Sequence, residues 1–439
     1  MLMRLSKYIQ YQHLDDGNYG IINYADSCLV VVCEELYNLF NTYKSAISQL
    51  RTIHPDFFNE LIACRIVVNK EEDEIDTYIQ NKWAKLLINE YIHIIINPTL
   101  DCNLRCWYCY ERHTKGAFMT KAVAESLLKY LNNRIEETKS APIHISLFGG
   151  EPLIRFATIT KPILCEVKKL CDSKGRRIIL HITSNGYLIT EAIADFLLSI
   201  TDNITFQIAF DGGQSHHNKT KLTSGGKTTY DRTIENVSLI LERGISVVCR
   251  VNFTNDNVES IRALLDDILY RGFFNKKHFR VLFEKVWQTK STPATENLIK
   301  EYRMFVNKHG NNVAYLNRSA HHSCYCDYYN TIVVNYDGRV FKCTARDFDE
   351  KNSVGRVSDN GQLALDFTPA EYMREMFPYA CRMCRAMPAC IVCHQIKKER
   401  LGNHCPANKT EEEMVKMIQD FSDIILTKFR ATSCLTNGV

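Results

Sequence analysis

Short apolar runs alternate with helical patterns along the middle of the chain, from residue 91 to about residue 312. Six runs rich in residues that favour β-strands cover 91–97, 143–148, 178–183, 204–210, 245–252 and 278–283. Between them, apolar residues three and four positions apart predict helices, for instance over 121–138, 191–199, 231–243 and 257–270. This alternation predicts βα units and a parallel sheet.

The predicted fold class is therefore α/β. Six strand–helix units are too few to close a barrel of eight strands, so an open, partial (β/α)6 barrel is predicted over residues 86–312. Open α/β sheets bind ligands at the carboxyl ends of their strands. Functional residues are accordingly expected in the loops that follow the six strands.

The first 85 residues predict a small α+β module. Two apolar runs within residues 20–33 predict a hairpin, helical spacing follows over 34–48 and after Pro55, and residues 64–69 predict a closing strand. This order is typical of a winged-helix unit, and a packing cap on the next domain is the alternative. The charged segment 70–76, KEEDEID, is interpreted as a solvated linker.

The pattern changes after Ala314, where cysteines become dense and regular periodicity weakens. Residues 313–408 are predicted to fold around metal, because metal supplies the closure that a small core lacks. Helical spacing of apolar residues returns over 409–430, within a final segment of residues 409–439. The tail after Ala431 is expected to be loose.

Composition narrows the class of protein. Of the 439 residues, 45% are hydrophobic and 24% are charged, and a net charge of +4 does not call for nucleic acid or a membrane surface. The sequence shows neither a membrane span nor the apolar core of a signal peptide. A cytoplasmic location is expected, where eighteen cysteines indicate metal binding or catalysis rather than disulfides.

Three of these cysteines, Cys102, Cys106 and Cys109, follow the first predicted strand with the spacing C-x3-C-x2-C. A 4Fe–4S cluster normally takes four cysteine ligands, so a local set of three leaves one iron free to bind a small molecule. A zinc site is the alternative, with His113 as a fourth ligand. The spacing alone leaves both interpretations open.

The loop over residues 99–110, with Tyr108 directly before the last cysteine, resembles the signature of the radical S-adenosylmethionine (SAM) enzymes. The segment after the second strand resembles the family motif that receives the amino group of SAM; it consists of Gly149, Gly150, Glu151 and Pro152. The ends of the following strands resemble further SAM-binding segments, which implies that Ser184, Asn185, Asp211 and Arg250 contact SAM. Ala209 replaces a serine of the family pattern, so one contact to the SAM carboxylate is not expected.

The later cysteines resemble the SPASM extension, which carries one or two auxiliary 4Fe–4S clusters in peptide-modifying radical SAM enzymes. By this resemblance, an outer cluster is held by Cys381, Cys384, Cys390 and Cys405. An inner cluster is held by Cys324, Cys343 and Cys393, with Cys326 or an open site as the fourth. The gap before Cys393 is two residues instead of the usual three, and a zinc ribbon is the alternative.

The resemblance implies a peptide maturase. Such an enzyme cleaves SAM reductively and abstracts a hydrogen atom from a ribosomally made precursor peptide to install a thioether, ether or carbon–carbon crosslink. The N-terminal module resembles domains that bind the leader of such a peptide as an added strand. The implied partners are this peptide and a reductant such as flavodoxin or ferredoxin.

Two other functions are kept as alternatives. An anaerobic sulfatase maturase, which makes formylglycine, typically has an aspartate directly after the second SPASM cysteine. Here Thr344 follows Cys343, and the nearest carboxylate is Asp347, the candidate catalytic base; a loop ion pair with Arg346 or Arg339 is its other interpretation. A non-catalytic, zinc-stabilised binding module is the alternative from another class, and it leaves the GGEP motif without a purpose.

Overall fold

The computed structural model describes residues 2–88, 92–138, 140–310, 313–314, 323–400, 402 and 404–436. Tyr91, the predicted start of the first barrel strand, and Asn312, the predicted end of the barrel domain, lie outside the described residues. Contacts divide the chain into a first unit of residues 1–87, 317–329 and 369–439 and a second unit of residues 88–316 and 330–368. The four domains expected from the sequence stay a prediction.

The N-terminal part of the first unit is a small α+β module. Its elements are β1 (Met3–Leu5), β2 (Ile9–His13), β3 (Tyr19–Asn23), β4 (Cys28–Val32), α1 (Glu34–Tyr43), α2 (Leu50–Ile53), α3 (Pro55–Ala63), β5 (Val67–Asn69) and α4 (Glu74–Leu86). The predicted hairpin is formed by β3 and β4, and β2 pairs with the other edge of β3. Ile21, Val30 and Phe40 meet in a core between this sheet and the helices.

The charged segment 70–76 is not a solvated linker throughout, and that prediction is wrong for its second half. Asp73 caps the start of α4, and Glu74 is buried. The Glu74 carboxylate accepts hydrogen bonds from Arg4 Nη1 at 2.5 Å, from the Lys7 N–H at 3.2 Å and from the Ser6 hydroxyl. Its partners come from the start of the chain, so the local charge pattern contains no sign of them.

The second unit alternates strands and helices before it ends in a meander. Its elements are β6 (Ile92–Ile96), α5 (Lys121–Glu137), β7 (Ile143–Leu147), α6 (Lys161–Ser173), β8 (Ile178–Ser184), α7 (Glu191–Ile200), β9 (Ile204–Phe210), α8 (Gln214–Thr220), α9 (Tyr230–Glu242), β10 (Ser246–Phe253), α10 (Ile261–Tyr270), β11 (Phe279–Lys285), α11 (Pro293–Gly310), β12 (Thr331–Val334), β13 (Arg339–Phe341), β14 (Gly355–Val357) and β15 (Leu363–Leu365). The hydroxyls of Thr120 and Thr190 accept hydrogen bonds from the first turns of α5 and α7, so these helices begin where the sequence predicts.

All six predicted strands are present in one large, mostly parallel sheet, in the order β11-β10-β9-β8-β7-β6-β12-β13-β14-β15. The sequence did not predict β12, which adds a seventh parallel strand beside β6, with Thr331 opposite His93 and Val334 opposite Ile96. A run of four residues is too short to stand out by periodicity. The strands from β13 to β15 continue the sheet in antiparallel fashion.

The parallel strands present two chemically different faces. Alternate residues such as Ile94, Leu147 and Phe206 are buried in the core that the helices cover. The intervening positions of the same strands carry polar groups: His93, Ser146, His181, Gln207 and Arg250. His93 Nε2 lies 2.8 Å from Ser146 Oγ, and burial lowers the pKa of His93 to about 3 and that of His181 to about 4. Both imidazoles are therefore neutral near pH 7.

The C-terminal part of the first unit contains α12 (Pro369–Met376), α13 (Tyr379–Arg382), α14 (His394–Glu399) and α15 (Glu411–Thr436). The predicted final helix is present and packs against the N-terminal sheet, where Gln10 Nε2 donates to Gln419 Oε1 at 3.2 Å. Because α15 runs to Thr436, the predicted loose tail after Ala431 is wrong for that stretch. Among the described residues, no helix has the length and apolar character to cross a membrane.

Candidate active site

The loop between β6 and α5 carries the three cysteines of the C-x3-C-x2-C motif. Thr99 Oγ1 donates to the carbonyl of Ala117 and accepts from the N–H of Asp101, both at 2.8 Å. A β-bridge between Thr99 and Phe118 closes the base of the loop. These bonds fix the loop at the carboxyl edge of the parallel sheet.

The turn after β7 lies directly against this loop. The N–H of Gly150 donates to the carbonyl of Thr99 at 3.1 Å, and the N–H of Glu151 donates to that of Asp101 at 2.9 Å. A Cβ atom at Gly150 would lie 2.3 Å from the Asp101 oxygen, and one at Gly149 would lie 2.3 Å from the Thr99 oxygen. The two glycines therefore let this turn approach the cysteine loop, in addition to the ligand approach predicted for them.

Glu151 joins three segments beneath the loop. Its buried carboxylate accepts hydrogen bonds from Ser184 Oγ at 2.9 Å, from the Asn185 N–H at 2.8 Å and from the Leu153 N–H at 3.1 Å. Burial raises the pKa of Glu151 to about 7, and these donors oppose the rise. Asn185 also reaches the cysteine loop, where its Nδ2 donates to Asn103 Oδ1 at 2.8 Å.

A second polar network binds the loop to the ends of β9 and β10. The Tyr108 hydroxyl lies 2.7 and 2.9 Å from the two carboxylate oxygens of Asp211. Asn252 Nδ2 donates to both partners, at 3.1 Å to the tyrosine oxygen and at 3.3 Å to the carboxylate. Arg250 Nε in turn donates to Asn252 Oδ1 at 3.0 Å. Burial raises the pKa of Tyr108, so its hydroxyl stays a donor.

Lys221 belongs to this network and was missed in the sequence. Its ammonium group is almost fully buried, 4.0 Å from Asp211 Oδ2 and 3.6 Å from Cys106 Sγ. Burial alone would lower the pKa of Lys221, but the neighbouring Asp211, Cys106 and Tyr108 raise it well above its usual value. In the sequence, Lys221 stands among ordinary surface residues after α8, so no local signal could have identified it.

These networks surround one pocket at the carboxyl end of the strands. Most of the predicted SAM-site residues line it: Cys102, Cys106, Tyr108, Cys109, Gly149, Gly150, Ser184, Asn185 and Arg250. Glu151 and Asp211 lie buried behind the lining, as does Pro152, whose carbonyl accepts a hydrogen bond from Thr160. Ala209, which replaces the serine of the family pattern, is also in the wall.

The other side of the pocket is formed by residues that the sequence did not single out. Tyr110 stacks on Trp287, with ring centres 5.3 Å apart, and Gln288 Nε2 donates to the carbonyl of Tyr108 at 2.7 Å. Glu111 lies in the wall, and no donor among the described residues reaches its buried Oε2 atom. Burial raises the pKa of Glu111 to about 8. His113, considered as a zinc ligand, lines the pocket with Nε2 3.3 Å from Cys109 Sγ.

Asp347, the candidate base, is absent from the residues that line this pocket. Its carboxylate lies 3.3 Å from Nε of Arg112, an arginine that the sequence did not suggest as a partner. Cys343 is buried in the same unit and accepts a hydrogen bond from the N–H of Ala345 at 3.3 Å. Asp347 therefore forms a salt bridge with Arg112, an exposed side chain of the cysteine loop.

Within the first unit, three predicted inner-cluster cysteines come together. The sulfur atoms of Cys324, Cys326 and Cys393 all lie within 4.8 Å of one another. The Asp327 carboxylate accepts from the N–H of Cys324 at 2.9 Å and from the N–H of His394 at 2.7 Å, which holds the two cysteine-bearing segments together. Cys326 is thus placed beside Cys324 rather than apart from it.

The four predicted outer-cluster cysteines line one further pocket of the first unit: Cys381, Cys384, Cys390 and Cys405. Burial raises the pKa of Cys381 to about 11, and in the second unit it raises that of Cys109 to about 11. Such thiols are protonated near pH 7, and coordination to metal removes their protons. Lys397 beside Cys381 and Lys221 beside Cys106 supply positive charge that suits anionic iron–sulfur groups.

Residues 96–268 match the family model of the radical SAM superfamily. The chain is 24% identical over 308 residues to the radical SAM cyclopropyl synthase TigE of Paramaledivibacter caminithermalis, which covers 60% of this chain and 63% of that protein. It is 25% identical to a cysteine-type anaerobic sulfatase-maturating enzyme of Clostridium novyi, over 49% of this chain and 58% of that enzyme. The chain therefore spans somewhat less than two thirds of the length of these relatives.

Two solved structures share the fold. Native anSMEcpe with bound AdoMet and a peptide covers 78% of this chain and 99% of its own, with a TM-score of 0.59 and 17% identity. Streptococcus suis SuiB bound to its precursor peptide SuiA covers 92% of this chain and 98% of its own, with a TM-score of 0.52 and 15% identity. The resemblance to radical SAM proteins noted in the sequence is confirmed.

The contact between the two backbones predicts the effect of one methyl group. Gly150→Ala should destabilise the protein by about 1–3 kcal/mol, because the added Cβ atom overlaps the Asp101 carbonyl. Gly225→Ala is the matched control, since its nearest neighbour, Thr223 Oγ1, lies 3.9 Å from the added atom. Thermal unfolding of both variants tests this, and equal midpoints would show that the turn can move away at no cost.

Proposed function

The chain carries a radical SAM domain over residues 96–268, and on that premise we propose that it is a peptide maturase. The observation that carries the proposal is the single pocket that brings the C-x3-C-x2-C cysteines together with the turn after β7 and the ends of β8 to β10. A pocket of this kind, at the carboxyl ends of parallel strands, suits SAM and a substrate group side by side.

Cys102, Cys106 and Cys109 are the proposed ligands of a 4Fe–4S cluster, and SAM is the proposed occupant of the adjoining space. When bound, these groups supply a 5′-deoxyadenosyl radical that takes a hydrogen atom from a substrate carbon. The protein positions these groups relative to the substrate. The backbone at Gly149 and Gly150, the ends of strands at Ser184, Asn185 and Arg250, and the buried carboxylates of Glu151 and Asp211 hold SAM or its surroundings.

A ribosomally made precursor peptide is the proposed substrate, and a thioether, ether or carbon–carbon crosslink is the proposed product. Similarity in fold to SuiB with its bound precursor peptide supports the peptide, and similarity in sequence to TigE supports radical modification. Residues 1–85 are proposed as a winged-helix-like module that binds the leader at an edge of the sheet of β2, β3 and β4. A flavodoxin or ferredoxin is the proposed reductant.

The eight cysteines from Cys324 to Cys405 are proposed to belong to a SPASM domain over residues 313–408, and residues 86–312 are proposed to form a partial barrel. Cys324, Cys326 and Cys393 of the first unit are proposed to hold the inner auxiliary cluster, because their sulfur atoms lie within 4.8 Å of one another. Cys343 stays a prediction of the family resemblance. The outer cluster takes the four cysteines that share the second pocket. Metal analysis of the purified protein separates these clusters from the zinc alternative.

Glu111 is the proposed contact for a polar group of the substrate, because with a pKa of about 8 its carboxyl group carries a proton near pH 7 and can donate as well as accept. Its Oε2 atom is buried in the wall of the pocket and has no donor among the described residues, so a bound group can supply one. Asp347 is the weaker candidate, because Arg112 already neutralises it. Formylglycine formation remains the second candidate function, favoured by the similarity to the sulfatase-maturating enzyme, although Thr344 occupies the position of the expected aspartate.

Replacing Cys102, Cys106 and Cys109 together by Ala should abolish reductive SAM cleavage, because no cluster can then bind SAM. Iron and sulfide attributable to the later cysteines should remain. The measurement is 5′-deoxyadenosine formed under dithionite, with iron and sulfide determined on the same anaerobically reconstituted sample. Undiminished 5′-deoxyadenosine in the triple variant would rule out the assignment of the loop.

Leader recognition predicts that the intact enzyme binds a precursor peptide about tenfold more tightly with its leader than without it, since strand addition forms several main-chain hydrogen bonds. A synthetic precursor peptide is the probe, labelled at its C-terminus for fluorescence anisotropy. A scrambled leader of the same length is the control. Equal affinity of all three peptides would contradict the proposal that residues 1–85 bind the leader.

Glu111→Ala should lower the amount of modified peptide formed per 5′-deoxyadenosine by about tenfold, because a buried polar group of the substrate loses its partner. Glu125→Ala, an exposed carboxylate on α5, is the matched control and should leave the ratio unchanged. Mass spectrometry of the peptide and chromatography of the nucleoside give the ratio. An unchanged ratio in Glu111→Ala would show that this carboxylate does not touch the substrate.

A further inference from the structure

Lys221 is buried next to one cysteine of the loop. Its backbone N–H donates to the carbonyl of His217 at 2.8 Å, and its own carbonyl accepts from Thr229 Oγ1 at 2.5 Å. The side chain is only 5% exposed. Its Nζ atom lies 3.6 Å from Cys106 Sγ and 5.5 Å from the centre of the Tyr108 ring. This buried ammonium group therefore lies within hydrogen-bond distance of the sulfur.

The ammonium group of Lys221 lies closer to a sulfur atom than to its carboxylate partner, Asp211. Nζ is nearer to Cys106 Sγ, at 3.6 Å, than to Asp211 Oδ2, at 4.0 Å. Asp211 is also the acceptor for the Tyr108 hydroxyl and for Asn252, so its negative charge is shared among several donors. An ammonium whose only role was to neutralise Asp211 would not need to lie closer to the sulfur.

A buried positive charge beside a cluster ligand changes the energy of adding an electron. Reduction makes an iron–sulfur cluster more negative, and charge nearby and hydrogen bonds to its sulfur ligands set the reduction potential. The interior of the protein screens such a charge less than water does. An N–H···S bond from Lys221 to Cys106 therefore favours the reduced form of a cluster held there.

We propose that Lys221 raises the reduction potential of the cluster at Cys102, Cys106 and Cys109 by donating a hydrogen bond to the Cys106 thiolate. The proposal rests on the proposed function, because it takes these cysteines as cluster ligands. Lys221 acts through Cys106 and is a positioning residue rather than a catalytic one. It makes the cluster easier for the electron donor to reduce, before any SAM is cleaved.

The test is a redox titration of the anaerobically reconstituted full-length enzyme, followed by electron paramagnetic resonance. Spectra of the Cys102, Cys106 and Cys109 triple alanine variant give the auxiliary clusters alone and are subtracted. In Lys221→Met, the ratio of reduced to oxidised cluster at a fixed potential should fall about tenfold, a shift of about 59 mV for one electron. Lys221→Arg keeps the charge and should recover most of this loss.

Two further variants separate the field of Lys221 from a general loosening of the loop. Lys227→Met removes an exposed lysine a short distance along the same segment and should leave the potential unchanged. Asp211→Asn removes the opposing charge and should shift the potential upward. A loop that was merely loosened would shift Lys221→Met and Asp211→Asn in the same direction. If Lys221→Met fails to hold a cluster, Lys221→Gln, which keeps a polar side chain but removes the charge, takes its place, and an unchanged potential in that variant would overturn the proposal.

The outcomes distinguish this proposal from the proposed function. If the wild-type enzyme gives no signal from a cluster at Cys102, Cys106 and Cys109, both the proposed function and the role of Lys221 are overturned. A normal signal whose potential is the same in Lys221→Met overturns the role of Lys221 alone. A normal potential combined with a loss of SAM affinity, measured by isothermal titration in Lys221→Met, would make Lys221 a contact of SAM instead and would also overturn the proposal.

Discussion

The close contact between two stretches of backbone is the constraint on which the site depends. The carbonyls of Thr99 and Asp101 accept hydrogen bonds from the N–H groups of Gly150 and Glu151. A side chain at Gly149 or at Gly150 would overlap these carbonyls. This contact sets the distance between the cysteine loop and the end of β7. Because Glu151 then binds the end of β8, the arrangement of three consecutive segments follows from one steric requirement.

Much of the fold could be predicted because the sheet is organised locally. The six parallel strands are buried on their helix-covered face, so each gives a distinct apolar run, and the capping residues fix the helix starts. What could not be predicted depends on partners distant in sequence. Glu74 is buried by virtue of Arg4, and β12 exists as a strand by virtue of β6.

The site shows the same division. The cysteine spacing and the GGEP motif are local signals, and most of the SAM-site residues predicted from the sequence do line the pocket. Lys221 and Glu111 carry no such signal, because a lysine or a glutamate in a loop is usually exposed. Their burial in the fold is what marks them as functional candidates. Lys221 is a cation beside the sulfur of Cys106, and the buried Oε2 atom of Glu111 has no donor among the described residues.

The polar face of the parallel sheet has a consequence for how this protein can choose a ligand. His93, Ser146 and Gln207 offer donors and acceptors where most sheets would bury only hydrocarbon. His93 and Ser146 pair with each other, whereas Gln207 lines the pocket, where a ligand that displaces water must match its amide group in direction and distance. Discrimination at this face therefore rests on rejecting molecules that leave a buried polar group unpaired, a penalty much steeper than the loss of a methyl contact.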